Sequence, residues 1–234
     1  MSLGPAAVVL DLDGVVIDSE GVWERVREDY THRHGGRWRD GTQARMMGMS
    51  TPEWAAFMHS ELGVPQEPDA IARGVIAALL ERYRARLPLL PGAAETVASL
   101  AEHWPLGLAS SSPRDVVDAV LDLAGIAGRF RAVVSSDEVA AGKPAPDVYL
   151  EATRRLGVVP TDAVAVEDST NGIRAAHAAG LTVVAVPNPA FPPADDALAL
   201  AAVRRPGVAA VTPEVVREAA RDRPPSTGAR GSRL

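Results

Sequence analysis

The sequence predicts an α/β protein with a Rossmann-like parallel sheet and an all-helical domain inserted after the first strand. Short β-branched or apolar runs alternate with amphipathic stretches, which is typical of a parallel sheet covered by helices on both faces. Residues 19–88 interrupt this alternation, because they contain no convincing strand. Four of the predicted strands end at polar residues, which indicates a site at one edge of the sheet.

Short apolar runs predict five strands. They span residues 6–10, 106–109, 132–134, 163–166 and 182–186. The first four are followed by Asp11, Ser110, Ser135 and Glu167. Because ligands of open parallel sheets bind beyond the carboxyl ends of the strands, we expect these polar side chains to converge.

Amphipathic patterns predict helices in both parts of the chain. The helices between the strands lie near residues 92–103, 113–124, 146–157 and 170–179, and those of the insert near 19–34, 51–61 and 68–86. We expect a core domain of residues 1–18 and 89–212 and a helical cap domain of residues 19–88. Residues 222–234 lack apolar side chains until the last position, which predicts a disordered tail.

Composition narrows the function classes. The hydrophobic fraction of 47% and charged fraction of 23% are ordinary for a soluble globular protein. A net charge of −6 argues against binding to nucleic acid or to an anionic membrane. Cysteine is absent, which excludes disulfides and thiol catalysis and favours a cytoplasmic setting. The N-terminal segment resembles neither a signal peptide nor a membrane span, and we expect a monomer or weak dimer.

Two acidic pairs follow predicted strands. Asp11 and Asp13 lie in the sequence D-L-D-G, where an extended segment points both side chains the same way and Gly14 permits a sharp turn. Carboxylates this close repel each other unless a cation or a proton intervenes. Glu167 and Asp168 form the second pair. Together the pairs offer the hard oxygen ligands that Mg²⁺ prefers, although a helix cap would also explain Asp168.

Hydroxyl groups and one lysine complete the candidate site. Ser110 and Ser111 lie between a strand and a helix, where hydroxyls and free backbone N–H groups can bind an anion or cap the helix. Lys143 is the single lysine among 24 basic residues, the others being arginine. A lysine retained in so arginine-rich a chain indicates a place that needs a compact ammonium, although a chance surface position would also explain it.

Four motifs, in the order in which they occur along the chain, resemble those of the haloacid dehalogenase (HAD) superfamily. They are D-x-D-G, a serine at a strand end, G-K-P-x-P-D and E-D-S-x-x-G-I, and the resemblance covers residues 6–186. Their spelling is similar to the helical-cap branch with phosphoglycolate phosphatase-like and β-phosphoglucomutase-like enzymes. The resemblance implies the HAD fold and a Mg²⁺-dependent phosphatase that forms an aspartyl-phosphate on a small phosphorylated metabolite, a sugar or hydroxyacid phosphate.

The resemblance also implies roles for individual residues. Asp11 would be the nucleophile and Asp13 the general acid and base, while Ser110, the N–H of Ser111 and Lys143 would bind the phosphoryl group. The metal ligands would be Asp11, the backbone carbonyl of Asp13, and Asp168, with Glu167 close by. Substrate identity is expected to depend on four cap residues. They are Ser19, Glu20, Trp23 and Thr51.

Ordinary structural roles compete with these cap assignments. The sequence D-S-E before a helix suits Ser19 and Glu20 as capping residues. For Trp23 and Trp54, a role in packing the cap interior is favoured over stacking on a substrate, because tryptophan is usually buried.

Other reactions of the superfamily fit less well. A phosphonoacetaldehyde hydrolase needs a cap lysine, and a haloacid dehalogenase lacks the second aspartate. A β-phosphoglucomutase-like mutase has a histidine and an arginine where Trp23 and Thr51 stand here, although Arg45 or Arg73 could substitute. A receiver-type switch, in which the phosphorylated aspartate lies on a later strand, and a non-catalytic phosphometabolite sensor are the alternatives from other classes.

Overall fold

The computed structural model describes residues 4–46 and 49–221, and this part of the chain contains the predicted parallel sheet. Its six strands lie in the order β3-β2-β1-β4-β5-β6, and every neighbouring pair is parallel. They are β1 Ala7–Leu10, β2 Leu106–Ser110, β3 Phe130–Ser135, β4 Ala163–Glu167, β5 Thr182–Ala185 and β6 Val203–Arg204. The first five coincide with predicted strands. The sixth strand was not predicted, because a strand of two residues is too short to show an alternating pattern of apolar and polar side chains.

Alternating side chains of the strands build one apolar layer on each face of the sheet. Val8 and Leu10 belong to one buried cluster, whereas Ala7 and Val9 belong to another. The first face is covered by α5 Ala93–Ala101, α6 Arg114–Leu123 and α10 Pro213–Arg221. The second is covered by α7 Asp147–Leu156, α8 Thr170–Ala178 and α9 Asp195–Leu198. The three layers confirm the predicted α/β class.

The residues between β1 and β2 are helical, as the sequence predicts. The helices are α1 Glu20–Arg33, α2 Thr42–Met46, α3 Thr51–Ser60 and α4 Pro68–Ala85, and no strand lies in the described residues between 18 and 88. α4 packs against α1 and α3, and the apolar interior that they share includes Trp54, Leu79 and Tyr83. This shared interior stabilises the segment between β1 and β2, which is longer than an ordinary crossover connection.

Most helix limits agree with the sequence prediction to within two residues. α2, α9 and α10 were not predicted. α10 begins just beyond residue 212, where the core domain was expected to end, and it buries Val215 and Val216 in the cluster on the first face. The domain limits themselves stay a prediction, and the expected tail, residues 222–234, lies outside the described residues. No helix within the described ranges combines the length and the hydropathy that a membrane-spanning segment needs.

The strand order places a site at the middle of the sheet. From β1 the chain first builds β2 and β3 on one side and then β4, β5 and β6 on the other. The strand order therefore reverses at β1, and ligands of open α/β sheets bind at such a switch point. Leu10 pairs with Val166, so that Asp11 and Glu167 emerge side by side at the carboxyl ends of β1 and β4.

Candidate active site

Three of the predicted carboxylates meet at this switch point. The backbone N–H of Asp11 donates to the carbonyl oxygen of Val166 at 3.0 Å, which continues the β1–β4 pairing beyond β1. Asp11, Glu167 and Asp168 each offer a carboxylate oxygen, and these oxygens lie within 4.8 Å of one another. Asp11 and Glu167 are buried. The parallel register therefore converts two separate sequence motifs into one acidic cluster.

Lys143 is the cation of this cluster. It lies in the loop between β3 and α7, and its Nζ donates to Asp11 Oδ1 at 2.7 Å and to Glu167 Oε1 at 2.6 Å. The side chain is only 4% exposed. Burial works to lower the pKa of Lys143, but Asp11 and Glu167 outweigh it and the pKa is raised. The single lysine is therefore a buried, charged partner and not a chance surface residue.

Glu167 is held on both carboxylate oxygens. Oε1 accepts from Lys143 and from the Tyr149 hydroxyl at 2.7 Å. Oε2 accepts from the backbone N–H groups of Asp168 and Ser169 and from the Ser169 hydroxyl. Gly172 allows this approach, because a Cβ at that position would lie 1.8 Å from Oε1. The sequence reasoning missed Tyr149, whose place in an amphipathic helix signals only a core residue.

Asp13 stands apart from the acidic cluster and is surrounded by serine hydroxyls. Its Oδ1 accepts from Ser19 at 2.6 Å, and its Oδ2 accepts from Ser112 at 2.7 Å and from Ser110 at 3.3 Å. Gly14 turns the chain here with a φ of +78°. Ser110, predicted to bind phosphate, thus contacts Asp13 in this structure. Ser112 was not among the predicted site residues.

A hydrogen bond from the end of β3 holds the loop that carries Ser110 and Ser112 in place. The Ser135 hydroxyl donates to the carbonyl oxygen of Ser112 at 2.7 Å, which ties the end of β3 to the loop after β2. α6 begins at Arg114 with Pro113 as its N-cap residue, so the cap lies after the serines that the sequence offered for it. Of the polar residues at the strand ends, Ser135 therefore supports the site and does not line it.

The acidic cluster carries more negative charge than Lys143 can balance. Burial, with Glu167 and Asp13, raises the pKa of Asp11 to about 8 against the opposing effect of Lys143. Burial, Glu167 and Asp11 also raise the pKa of Asp168 well above its ordinary value. Buried carboxylate oxygens with excess negative charge match the ligand preference of a hard divalent cation. The residues present therefore fit a divalent metal ion.

Two adjoining cavities open beside these groups. The smaller, about 370 Å³, is lined by Asp11, Asp13, Glu20 and Asp168 among others. The larger, about 770 Å³, lies between the start of α3 and residues 136–144. Both cavities share Ser111, Lys143 and Asn171. The space is large enough for a phosphorylated metabolite next to the acidic cluster.

Of the four cap residues, Ser19 and Glu20 lie at the site. The Ser19 hydroxyl makes no capping hydrogen bond and contacts Asp13 instead. Glu20 lines the smaller cavity, whereas Trp23 and Thr51 are not among the described residues that line either cavity. Trp23 packs edge-to-face on Trp54, with ring centroids 6.1 Å apart.

Fold and site together define an α/β enzyme class with a carboxylate and lysine cluster at the switch point of a parallel sheet. The chain belongs to the haloacid dehalogenase-like hydrolases, because the model of that family matches residues 5–180. The family predicted from the motifs is thereby confirmed.

Named relatives agree with this assignment. Hexitol phosphatase B of Escherichia coli (strain K12) is 34% identical over 189 residues, which cover 78% of this chain and 84% of the relative. The bifunctional riboflavin kinase/FMN phosphatase of Arabidopsis thaliana is 32% identical over 185 residues, and this chain spans about half of its length, 48%. The structure of β-phosphoglucomutase from Clostridium difficile superposes with a TM-score of 0.79, covering 93% of this chain and 97% of that one. At 20% identity, this likeness concerns the fold alone.

Proposed function

We propose that this protein is a Mg²⁺-dependent phosphatase that hydrolyses a small phosphorylated metabolite, a sugar or hydroxyacid phosphate, through an aspartyl-phosphate. The observation that carries the proposal is the contact of Lys143 with both Asp11 and Glu167, beside a cavity of suitable size. The family assignment and the phosphatases among the named relatives support it.

Asp11 is the proposed nucleophile. Its carboxylate oxygen attacks phosphorus, the bond between phosphorus and the ester oxygen breaks, and that oxygen leaves with a proton from Asp13. Asp13 then takes a proton from water, whose oxygen attacks the aspartyl-phosphate and releases phosphate together with the Asp11 carboxylate. The Lys143 ammonium, 2.7 Å from Asp11 Oδ1, favours the ionised nucleophile.

The serines around Asp13 suit a group that alternates between acid and base. A hydroxyl can donate to a carboxylate and can also accept from a carboxylic acid, so Ser19 and Ser112 can hold Asp13 in either protonation state. Ser110 and the N–H of Ser111 are the proposed phosphoryl ligands, together with Lys143. Ser110 would exchange its long contact with Asp13, 3.3 Å, for a phosphoryl oxygen.

Asp11, Asp168 and the backbone carbonyl of Asp13 are the proposed Mg²⁺ ligands. Glu167 already accepts five hydrogen bonds, and a carboxylate offers about four lone-pair sites, so we assign it an indirect role in holding the site. When bound, the ion neutralises charge on the phosphoryl oxygens. The residues of the chain perform the positioning and the proton transfers.

The test is phosphate release by the purified protein from a panel of sugar and hydroxyacid phosphates that includes β-glucose 1-phosphate. We expect repeated turnover with Mg²⁺, loss of turnover in Asp11→Asn and severe impairment in Asp13→Asn. Wild-type rates in Asp11→Asn would refute the nucleophile, and ample activity in Asp13→Asn would refute the acid and base. A single phosphorylation without turnover would indicate a switch, and binding without turnover a sensor.

A β-phosphoglucomutase-like mutase is the second candidate, and the fold likeness to a mutase is what favours it. A mutase must hold a second phosphate in the cap. Arg45 is exposed and pairs with Glu61, Arg73 is exposed, and neither lines a cavity in the described part of the chain. The panel separates the two candidates, because a mutase converts β-glucose 1-phosphate to the 6-phosphate without releasing phosphate.

A further inference from the structure

Apart from Lys143, the charged side chains that line the two cavities are acidic. The cap contributes Glu20 to the smaller cavity and Glu53 to the larger one, and the loop after β3 contributes Asp137. Lys143 is the single cation that lines either cavity among the described residues, and it is already paired with two carboxylates. The space for the leaving group therefore holds no cation that could bind a second anionic group.

Glu20 is held in this wall by a relay of hydrogen bonds. The Gln43 amide nitrogen donates to Glu20 Oε2 at 3.0 Å, and the Gln43 amide oxygen accepts from Arg27 Nη1 at 3.3 Å. Arg27 is 6% exposed, and its guanidinium lies 4.5 Å from the ring centroid of Trp23 and 5.0 Å from that of Trp54. The buried arginine thus sets the orientation of the amide that faces Glu20.

The cost of burying Arg27 indicates a role beyond packing. Its Nε and the Tyr83 hydroxyl are both buried without a hydrogen-bond partner in the described part of the chain. Buried polar groups are seldom left unsatisfied, since each loses its hydration without compensation. An apolar side chain between the two indoles would avoid that loss, but it could not orient Gln43. The pKa of Glu20 is raised, because burial and Asp13 outweigh the opposing effects of Gln43 and Arg27.

We propose that Glu20 is a specificity-determining residue that selects phosphate monoesters with a neutral, polyhydroxylated leaving group and rejects those with a second anionic group. A carboxylate accepts hydrogen bonds from hydroxyls and repels a carboxylate or a second phosphate. Gln43 and Arg27 are positioning residues that act through Glu20. This inference rests on the proposed phosphatase function and narrows its substrates to sugar and polyol phosphates.

Three substrates test the inference in the full-length protein with Mg²⁺. Glucitol 6-phosphate has a neutral, hydroxylated leaving group, 2-phosphoglycolate an anionic one, and p-nitrophenyl phosphate a neutral one without free hydroxyls. Two like charges about 6 Å apart at an effective dielectric constant of about 20 predict a kcat/KM ratio of glucitol 6-phosphate to 2-phosphoglycolate on the order of 100.

We expect Glu20→Gln to lower this ratio at least about tenfold by weakening hydrolysis of the polyol phosphate and improving that of the anionic substrate. Glu28→Gln, the same change two turns along α1 and away from both cavities, is the matched control and should keep the wild-type ratio. Gln43→Met should raise KM for glucitol 6-phosphate more than it lowers kcat. A merely structural role would instead lower kcat for all three substrates alike.

The outcomes separate the inference from the function on which it rests. Hydrolysis of 2-phosphoglycolate as fast as that of glucitol 6-phosphate would overturn the inference while leaving the phosphatase intact. An equal loss with all three substrates in Glu20→Gln would overturn it as well. Absence of phosphate release from every substrate, p-nitrophenyl phosphate included, would instead overturn the proposed function.

Discussion

Replacing Lys143 with methionine tests the electrostatic account of the site. The change keeps an unbranched side chain of similar length and removes the ammonium that lies 2.7 Å from Asp11 Oδ1 and 2.6 Å from Glu167 Oε1. Each hydrogen bond to a charged group contributes about 1.5–3 kcal/mol. Removing one partner of a buried ion pair costs about 3–5 kcal/mol, because the remaining charge is left uncompensated. We therefore expect Lys143→Met to lower the free energy of unfolding by about 3–5 kcal/mol.

Urea denaturation at neutral pH without added metal measures this difference. Arg154→Met is the control, since Arg154 is 71% exposed and an ion pair in contact with water, such as its pair with Glu151, contributes little to stability. Adding Mg²⁺ should narrow the gap between Lys143→Met and wild type, because the ion supplies part of the lost positive charge. Phosphate release should fall at least about 100-fold.

A second variant separates charge from shape. Lys143→Arg keeps the positive charge, but a planar guanidinium is larger than the ammonium it replaces in a buried position. We expect a loss of about 1–3 kcal/mol from overpacking. The reasoning would be refuted if Lys143→Met were as stable as wild type to within about 1 kcal/mol, or if Lys143→Arg were fully active.

Three further predictions concern the supports of the site, its metal and an exposed ion-pair network. Gly172→Ala should displace the Glu167 carboxylate, because the new Cβ would lie 1.8 Å from Oε1, and should raise the Mg²⁺ concentration needed for half-maximal phosphate release. Chelation by EDTA should abolish phosphate release and lower Tm, and added Mg²⁺ should restore both. Arg154 and Arg155 lower the pKa of Glu151 to about 2, so its contribution is present above about pH 4.5 and is lost as pH falls towards 2. Urea unfolding of Glu151→Gln should show a deficit below about 1 kcal/mol at pH 7 that shrinks towards acid pH.

Periodicity predicted the regular elements well and the short ones poorly. β1 to β5 were visible because each contains a short run of apolar residues bounded by polar or turn residues. β6 and α9 are too short for a period to show. α10 was missed although it buries Val215 and Val216, because its pairing with the first face of the sheet depends on contacts distant in sequence.

For the site, the sequence alone determined which chemical groups end the strands. Asp11, Ser110 and Glu167 follow strands that had to be parallel, and parallel strands bring their carboxyl ends to one edge. The lone lysine in G-K-P-x-P-D marked a place for a compact ammonium, and the motif order determined the family. These conclusions hold because the sequence itself shows the order of the residues and the alternation of strands and helices that makes the strands parallel.

Only the tertiary structure decided which of these groups touch one another. The β1–β4 register puts Asp11 beside Glu167, and the loop after β3 brings Lys143 onto both. The partners of Asp13 come from the start of α1 and from the loop after β2, so no local spacing could identify Ser112. The Asp13–Ser112 and Asp11–Lys143 contacts join residues 99 and 132 positions apart, and their geometry follows from packing rather than from local sequence pattern.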